Sequence, residues 1–99
     1  MIGNKVFNLA KKIWGYNRSL TGQGLRDTLH ELKKINKDLK INKVKSGTKA
    51  FDWKIPLEWN VNHAYITGPD GNKICDFSKN NLHLVGYSIP QKKSFNLEQ

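Results

Sequence analysis

The sequence has 99 residues, of which 37% are hydrophobic and 25% charged, with a formal net charge of +9. Three Trp, three Tyr and four Phe supply core material that a disordered tail lacks, so we expect one small folded unit. A single cysteine excludes an internal disulfide framework, and no apolar run is long enough to span a bilayer. The first residues do not read as a signal peptide, and we therefore expect a cytoplasmic protein that makes no membrane contact.

The excess of positive charge raises the question of an anionic partner. Of the seventeen Lys and Arg residues, fifteen are lysines, whereas bidentate recognition of bases and phosphates favours arginine. The lysine-rich run at 33–49 fits the solvated face of a half-buried strand, and no aromatic residues interleave with it for base stacking. The composition therefore disfavours a nucleic-acid-binding function.

The first third of the chain predicts two amphipathic helices. Apolar residues recur at spacings of three and four within 4–15 and again within 22–35, with lysines on the opposite side. These apolar positions are Val6, Phe7, Ala10, Ile13 and Trp14 in the first segment and Leu25, Leu29 and Leu32 in the second.

The rest of the chain predicts short strands. Alternating apolar residues indicate strands at 39–45 and 49–55, joined by a turn at 46–48. Pro69, Asp70 and Gly71 are typical of a hairpin turn between strands at about 63–67 and 73–77, and a last extended run ends at Pro90. We predict an α+β fold: two N-terminal amphipathic helices (1–36), followed by a small antiparallel β module of four to five strands (37–99).

The stretch between the helices, "NRSLTGQGLR" at 17–26, contains both arginines of the chain. It lacks the Lys-Ser/Thr of a phosphate-binding P-loop, the third glycine of a dinucleotide fingerprint and a preceding strand. We expect Thr21, or Ser19, to cap the second helix and the glycines to permit close backbone approach. Because a solvated turn has no need of guanidinium groups, we expect Arg18, Arg26 or both to pair with a carboxylate.

The sequence gives little support for a metal site or a catalytic site. The three histidines and the cysteine, at His30, His63, Cys75 and His83, are too scattered for a zinc site. We expect Cys75 to be a small buried hydrophobic residue and Asp52 and Glu58 to be solvated strand-edge charges. The sequence therefore predicts no catalytic residue and no metal ligand in this chain.

Four segments together resemble a known family. They are "RSLTGQGLRDTL" (18–29), "SGTKAFDWKIPLEWNVNHAYI" (46–66), "GPDGNKICDF" (68–77) and "NLHLVGYSIP" (81–90). They are similar to the N-terminal region of the bacterial aminopeptidase-like family associated with polysaccharide biosynthesis. The first motif is matched at Arg18, Ser19, Thr21, Gly22, Gly24 and Arg26, whose role is unknown, and the second at Phe51, Asp52, Trp53, Pro56 and Trp59, which form a structural motif.

The resemblance implies a longer, zinc-dependent aminopeptidase-like protein whose metal ligands lie downstream of the matched segment. This chain would then be a non-catalytic N-terminal segment without a cofactor of its own, while the full-length protein would hold zinc. Its partner would be the downstream catalytic region, and its helices would self-associate when that region is missing. The alternative is a free-standing basic module that binds nucleic acid or an acidic glycan.

Overall fold

The computed structural model describes residues 1–98 and contains two helices followed by four very short strands. Helix α1 spans Ile2–Ile13 and helix α2 spans Gln23–Ile35. Strands β1 (Lys49–Ala50) and β2 (Trp53–Lys54) form one antiparallel pair, and β3 (Ile66–Thr67) and β4 (Lys73–Ile74) form another. A single 3-10 turn follows at Asn81–His83. The α+β class predicted from the sequence is confirmed, with four strands in two separate sheets.

The two helices lie where the spacing of apolar residues predicts them. Both carry lysines in their last turn, Lys11 and Lys12 in α1 and Lys33 and Lys34 in α2, which suits the negative end of the helix dipole. Lys12 of α1 makes an ion pair of 2.6 Å with Glu31 of α2, and Glu31 also pairs with Lys34 at 2.6 Å. These hydrogen bonds and charges lower the pKa of the Glu31 carboxyl. Glu31 therefore joins α1 to α2.

The hairpin predicted around Pro69 is confirmed. Asp70 organises the turn, because its carboxylate accepts hydrogen bonds from the backbone and side-chain amides of Asn72 at 3.0 and 2.7 Å. Gly71 has a φ of 79°, a left-handed conformation that glycine adopts without steric cost. Beyond the paired residues, Phe77 N–H donates to the Ala64 carbonyl at 2.8 Å, which extends the hairpin.

The prediction of one continuous strand at 49–55 is wrong, because the chain reverses direction inside it and forms the two strands β1 and β2. Residues 51–52 form the turn of the β1–β2 hairpin, with Phe51 at φ 55°. The alternation of Phe51, Trp53 and Ile55 therefore does not mark one face of a strand, and Phe51 is 93% exposed. The turn expected at 46–48 is present at 46–47, just before this hairpin.

Two further strand predictions and one burial prediction are wrong. Residues 39–45 and 83–90 contain no strand, because neither segment finds a hydrogen-bonding neighbour within the part of the chain that the structure describes. Residues 83–90 instead hold the end of the 3-10 turn and a second turn at Gly86 and Tyr87. Cys75 is exposed, with a φ of 51°, because β4 ends before it.

The molecule is flat and open. Its principal extents are 52 × 42 × 19 Å and its radius of gyration is 17.7 Å, whereas about 13 Å is expected for a compact chain of this length. Within residues 1–98 no apolar side chain is buried, and Thr28, at 6% exposure, is the one buried polar side chain. None of the helices described is long and apolar enough to cross a membrane. The fold is therefore held mainly by polar contacts.

Candidate functional site

Many hydrogen bonds converge on residues 17–26, which comprise the end of the α1–α2 connection and the first turn of α2 and which we call the motif loop. It lies against residues 57–60, which we call the 57–60 segment. Trp59 N–H donates to the Thr21 carbonyl at 3.2 Å, and the Ser19 hydroxyl lies 2.6 Å from the Thr21 carbonyl and 3.0 Å from that of Trp59. The two bonds to Trp59 join residues about forty positions apart and cross the boundary expected near residue 36.

The start of α2 is capped differently from the sequence prediction. Thr21 and Ser19 do not accept hydrogen bonds from the helix amides. The Thr21 hydroxyl donates to the Leu57 carbonyl at 3.2 Å, and the Ser19 hydroxyl lies against the Thr21 and Trp59 carbonyls. Gly22 is the N-cap residue and has no side-chain cap of its own. The Asn60 carbonyl oxygen instead accepts from Gln23 N–H at 2.8 Å. The capping group for α2 thus comes from the 57–60 segment, which local sequence rules could not identify.

The two glycines of the motif loop lie where a side chain would not fit. A Cβ at Gly22 would be 2.8 Å from both Ser19 Oγ and the Trp59 carbonyl oxygen. A Cβ at Gly24 would overlap the Asn17 carbonyl and lie 3.1 Å from Arg18 N. The expectation of close backbone approach at both positions therefore holds, and the approach joins this loop to itself and to the 57–60 segment.

Arg26 forms the carboxylate pair expected for one or both arginines. Its Nη1 and Nη2 donate to the two carboxylate oxygens of Glu58, the second at 3.2 Å, and its Nε donates to Gln23 Oε1 at 3.0 Å. The Arg26 hydrogen bonds hold the pKa of Glu58 below its ordinary value. Glu58 is therefore a partner in a bidentate pair, and its interpretation as a merely solvated charge is wrong.

Arg18 has a different environment from Arg26. Its Nη1 donates to the Ile13 carbonyl at the end of α1 at 2.7 Å and lies 3.5 Å from Thr28 Oγ1 in α2. The Thr28 hydroxyl donates to the Gly24 carbonyl at 2.8 Å. Arg18 therefore links the end of α1 to α2 through backbone and hydroxyl oxygens, and it contacts no carboxylate among the described residues.

Beside Arg18 lies an open cleft of about 350 Å³, which we call the Arg18 cleft. It is lined by residues 16–19, by Trp59 and by residues of the 81–87 segment. The Trp59 and Tyr87 rings stack with centroids 5.7 Å apart, and Trp59 Nε1 donates to the Ser88 carbonyl at 3.0 Å. The cleft thus combines one guanidinium group with aromatic and amide side chains.

The second group of motif residues is spread over the β1–β2 hairpin and its exit. Trp59 lies in the Arg18 cleft. Phe51 and Asp52 occupy the hairpin turn, Trp53 pairs with Ala50, and Pro56 is half-buried after β2. Within this group, Trp59 is hydrogen-bonded to the motif loop.

No metal centre is assembled in the part of the chain that the structure describes. In residues 1–98 no group of three or more His, Cys, Asp or Glu side chains lies close enough to hold a metal ion. His63 stacks on Tyr65 at 5.9 Å, and Lys73 lies 4.0 Å above the Tyr65 ring. The residues present do not fit the zinc site that the resemblance implies for the longer protein.

Sequence reasoning singled out the motif loop but missed three groups that complete the site. These are Asn60, which caps α2, Tyr87, which stacks on Trp59, and Asn81, whose amide donates to the Trp14 carbonyl at 3.4 Å. Asn60 and Tyr87 lie inside the segments that carry the family resemblance, but neither occurs in a periodic pattern that would reveal its contact.

Comparison with known proteins assigns the chain to a family. Residues 7–95 match the family model described as a domain of unknown function, DUF4910. The chain belongs to this family. A relative from Clostridium acetobutylicum, named "Putative polysaccharide biosynthesis protein with aminopeptidase-like domain", is 42% identical over 97 residues. The match covers 98% of this chain and 22% of that protein.

A solved structure shares the fold. The crystal structure of a "putative peptidase" from Clostridium acetobutylicum superimposes with a TM-score of 0.88 at 41% sequence identity, covering 98% of this chain and 23% of that one. The resemblance to aminopeptidase-like proteins linked to polysaccharide biosynthesis is therefore confirmed. The DUF4910 chain described here spans less than a quarter of the length of both relatives.

Proposed function

We propose that this chain is a non-catalytic N-terminal segment of a longer, cytoplasmic, peptidase-like protein linked to polysaccharide biosynthesis, in which it supports a catalytic region. In this proposal zinc and its ligands belong to that region, and residues 1–36 form a helical unit against it, their apolar stripes turned towards it. Residues 37–99 form a second unit that shapes access or partner contact. The relatives' names and the coverage of 22–23% support the proposal.

One structural observation carries it: residues 1–98 bury no apolar side chain, yet their polar contacts are well formed. Burial of apolar surface is the main favourable term in folding, so a chain of this kind needs further protein to cover its apolar residues. On α1, Phe7 is 67% exposed, and Trp14 just after the helix is 65% exposed. We infer that such residues contact the catalytic region.

The test is a chimera in which this chain replaces the matched segment of the Clostridium acetobutylicum relative. Hydrogen exchange of α1 is measured by mass spectrometry in the chimera and in the isolated chain. We expect exchange at least about tenfold slower in the chimera, because α1 is covered there. The Phe7→Ser change should remove this protection, and Asn8→Ser, at an exposed polar neighbour on α1, should leave it.

Equal exchange of α1 in both proteins would contradict the proposal. So would hydrolysis of aminoacyl substrates, or stoichiometric zinc binding, by the isolated chain. The basic-module alternative gives a different result: tight binding of the isolated chain to nucleic acid or an acidic glycan that weakens steeply with added salt.

A further inference from the structure

The two arginines of the motif loop differ in how far their hydrogen-bonding capacity is used. A guanidinium has five N–H donors, and Arg26 places donors from all three of its nitrogens on Glu58 and Gln23. Arg18 uses one nitrogen, Nη1, for Ile13 and Thr28, while Nε and Nη2 have no partner in residues 1–98. Arg18 therefore offers a free guanidinium edge of the kind that binds a planar anion.

This free edge is held in place before any partner binds. The 2.7 Å bond to the Ile13 carbonyl ties Arg18 to the end of α1, where a cation is favourable. The neighbouring Thr28 hydroxyl is fixed by its own bond to Gly24. Because Arg18 is already restrained, a partner that meets it loses less side-chain entropy than one that meets a free surface lysine.

The surroundings of Arg18 suit an acidic group that arrives from outside. Among residues 1–98, no Asp or Glu lines the Arg18 cleft, so this part of the chain supplies no acidic side chain there. The cleft wall contains Tyr16 and the stacked pair of Trp59 and Tyr87, whose apolar faces strengthen a charge interaction by excluding water. Its far side is joined to the α1 end by the Asn81 amide, which donates to the Trp14 carbonyl.

We propose that the Arg18 cleft receives an Asp or Glu side chain from the part of the longer protein that lies outside this chain; this inference rests on the proposed function. Charge complementarity points to that occupant, since the chain carries a net charge of +9 and no carboxylate within residues 1–98 forms an ion pair with this guanidinium. The relatives are more than four times as long as the matched segment, which leaves ample sequence to supply the carboxylate.

The experiment uses the chimera with the Clostridium acetobutylicum relative described above. Hydrogen exchange of the motif loop is compared in the chimera and in the isolated chain for Arg18→Gln, Arg18→Lys and the control Lys11→Gln. Lys11 is an exposed cation of α1 that does not line the cleft. We expect Arg18→Gln to accelerate exchange at least about tenfold in the chimera and less than about twofold in the isolated chain, and Lys11→Gln to change neither. Arg18→Lys keeps the positive charge but loses the planar set of N–H donors. Its acceleration of exchange in the chimera should therefore lie between that of Lys11→Gln and that of Arg18→Gln.

A charge swap then identifies the partner. In the chimera carrying Arg18→Glu, each acidic residue of the relative's own portion is changed to Arg in turn, and one such change should restore protection of the motif loop. Arg18→Gln having no effect, or having the same effect in chimera and isolated chain, would overturn the inference. Saturable binding of glucuronate to the isolated chain that Arg18→Gln abolishes, with the chimera unaffected by that change, would assign the cleft to a small acid instead.

The outcomes separate the two proposals. If α1 is not protected in the wild-type chimera, the proposed function fails and this inference fails with it. If α1 is protected but the motif loop does not respond to Arg18→Gln, only the inference fails.

Discussion

At the scale of single residues, the contacts of Arg26 explain why a lysine could not replace it in the motif loop. Arg26 binds both oxygens of Glu58 and also Gln23, a planar arrangement that an ammonium group cannot reproduce. The pair joins α2 to the 57–60 segment across 32 positions of sequence. Its side chains are 39% and 42% exposed, so its contribution to stability is modest and is screened by salt.

The Arg26–Glu58 pair predicts a specific dependence of stability on pH. Hydrogen bonds from Arg26 lower the folded-state pKa of Glu58, whereas an unfolded glutamate titrates near 4.3. A group with a depressed folded pKa stabilises the fold above its unfolded pKa, and that contribution disappears as the pH falls through the folded value. Glu58→Gln should therefore lower the thermal midpoint slightly at pH 7, and the difference from the wild type should vanish in acid.

Thermal unfolding of the chimera, followed by circular dichroism between pH 7 and pH 3, measures this. Asp52→Asn is the matched control, because Asp52 lies in the exposed hairpin turn and makes no ion pair within residues 1–98. A midpoint difference for Glu58→Gln that stays constant over the whole pH range would show that the variant acts through packing and not through the charge of the pair.

At the scale of elements, α2 depends on contacts from outside its own sequence. Its first amide is capped by Asn60, its N-cap residue is a glycine, and its fourth residue, Arg26, reaches Glu58. The motif loop is therefore a junction that fixes where α2 begins and how it meets the 57–60 segment. Gly24 is the position where this junction is tightest, because a Cβ there would overlap the Asn17 carbonyl.

Two glycine substitutions in helices should have opposite effects. Gly3 lies in α1, and a Cβ added there would have no atom within 4 Å. Gly3→Ala should therefore stabilise the fold by about 0.5–1 kcal/mol through helix propensity. Gly24→Ala gains the same propensity but forces the Asn17 backbone to move, which typically costs about 1–3 kcal/mol. Urea denaturation of the chimera measures both, and equal effects of the two substitutions would contradict the close approach at Gly24.

The elements also show how far sequence patterns determine this fold. Both helices and the hairpin at Pro69 are local: periodic apolar residues define the former, and Pro69, Asp70 and Gly71 define the turn. The failed predictions at 39–45 and 49–55 rest on alternation and the one at 83–90 on an extended apolar run, and such patterns specify a strand only where a neighbour pairs with it. In the candidate site, the sequence identified the motif loop as important but could not identify its partners at 57–60 and 81–87. Those contacts join segments that are far apart in the sequence, and local patterns do not reveal them.

At the scale of the whole molecule, exposed surface is the dominant feature. The accessible area is 9130 Å², whereas a compact protein of 11.4 kDa exposes roughly 5,800 Å². Large apolar side chains are among the exposed residues, including Phe51 at 93% and Leu57 at 79% exposure. Two opposing forces therefore act between isolated copies: apolar surface draws them together, and a net charge of +9 keeps them apart.

The balance of these forces gives an expected sign for the effect of salt. The isolated chain should self-associate as its concentration rises, and added salt should strengthen the association, because the Debye length falls from about 10 Å at 0.1 M to about 3 Å at 1 M. Sedimentation velocity at several protein and salt concentrations measures it. Phe7→Ser combined with Trp14→Ser should weaken the association, while Asn8→Ser should not. A monomeric mass that does not change with concentration or salt would mean that the exposed apolar residues do not seek a partner, and it would count equally against their coverage by a catalytic region.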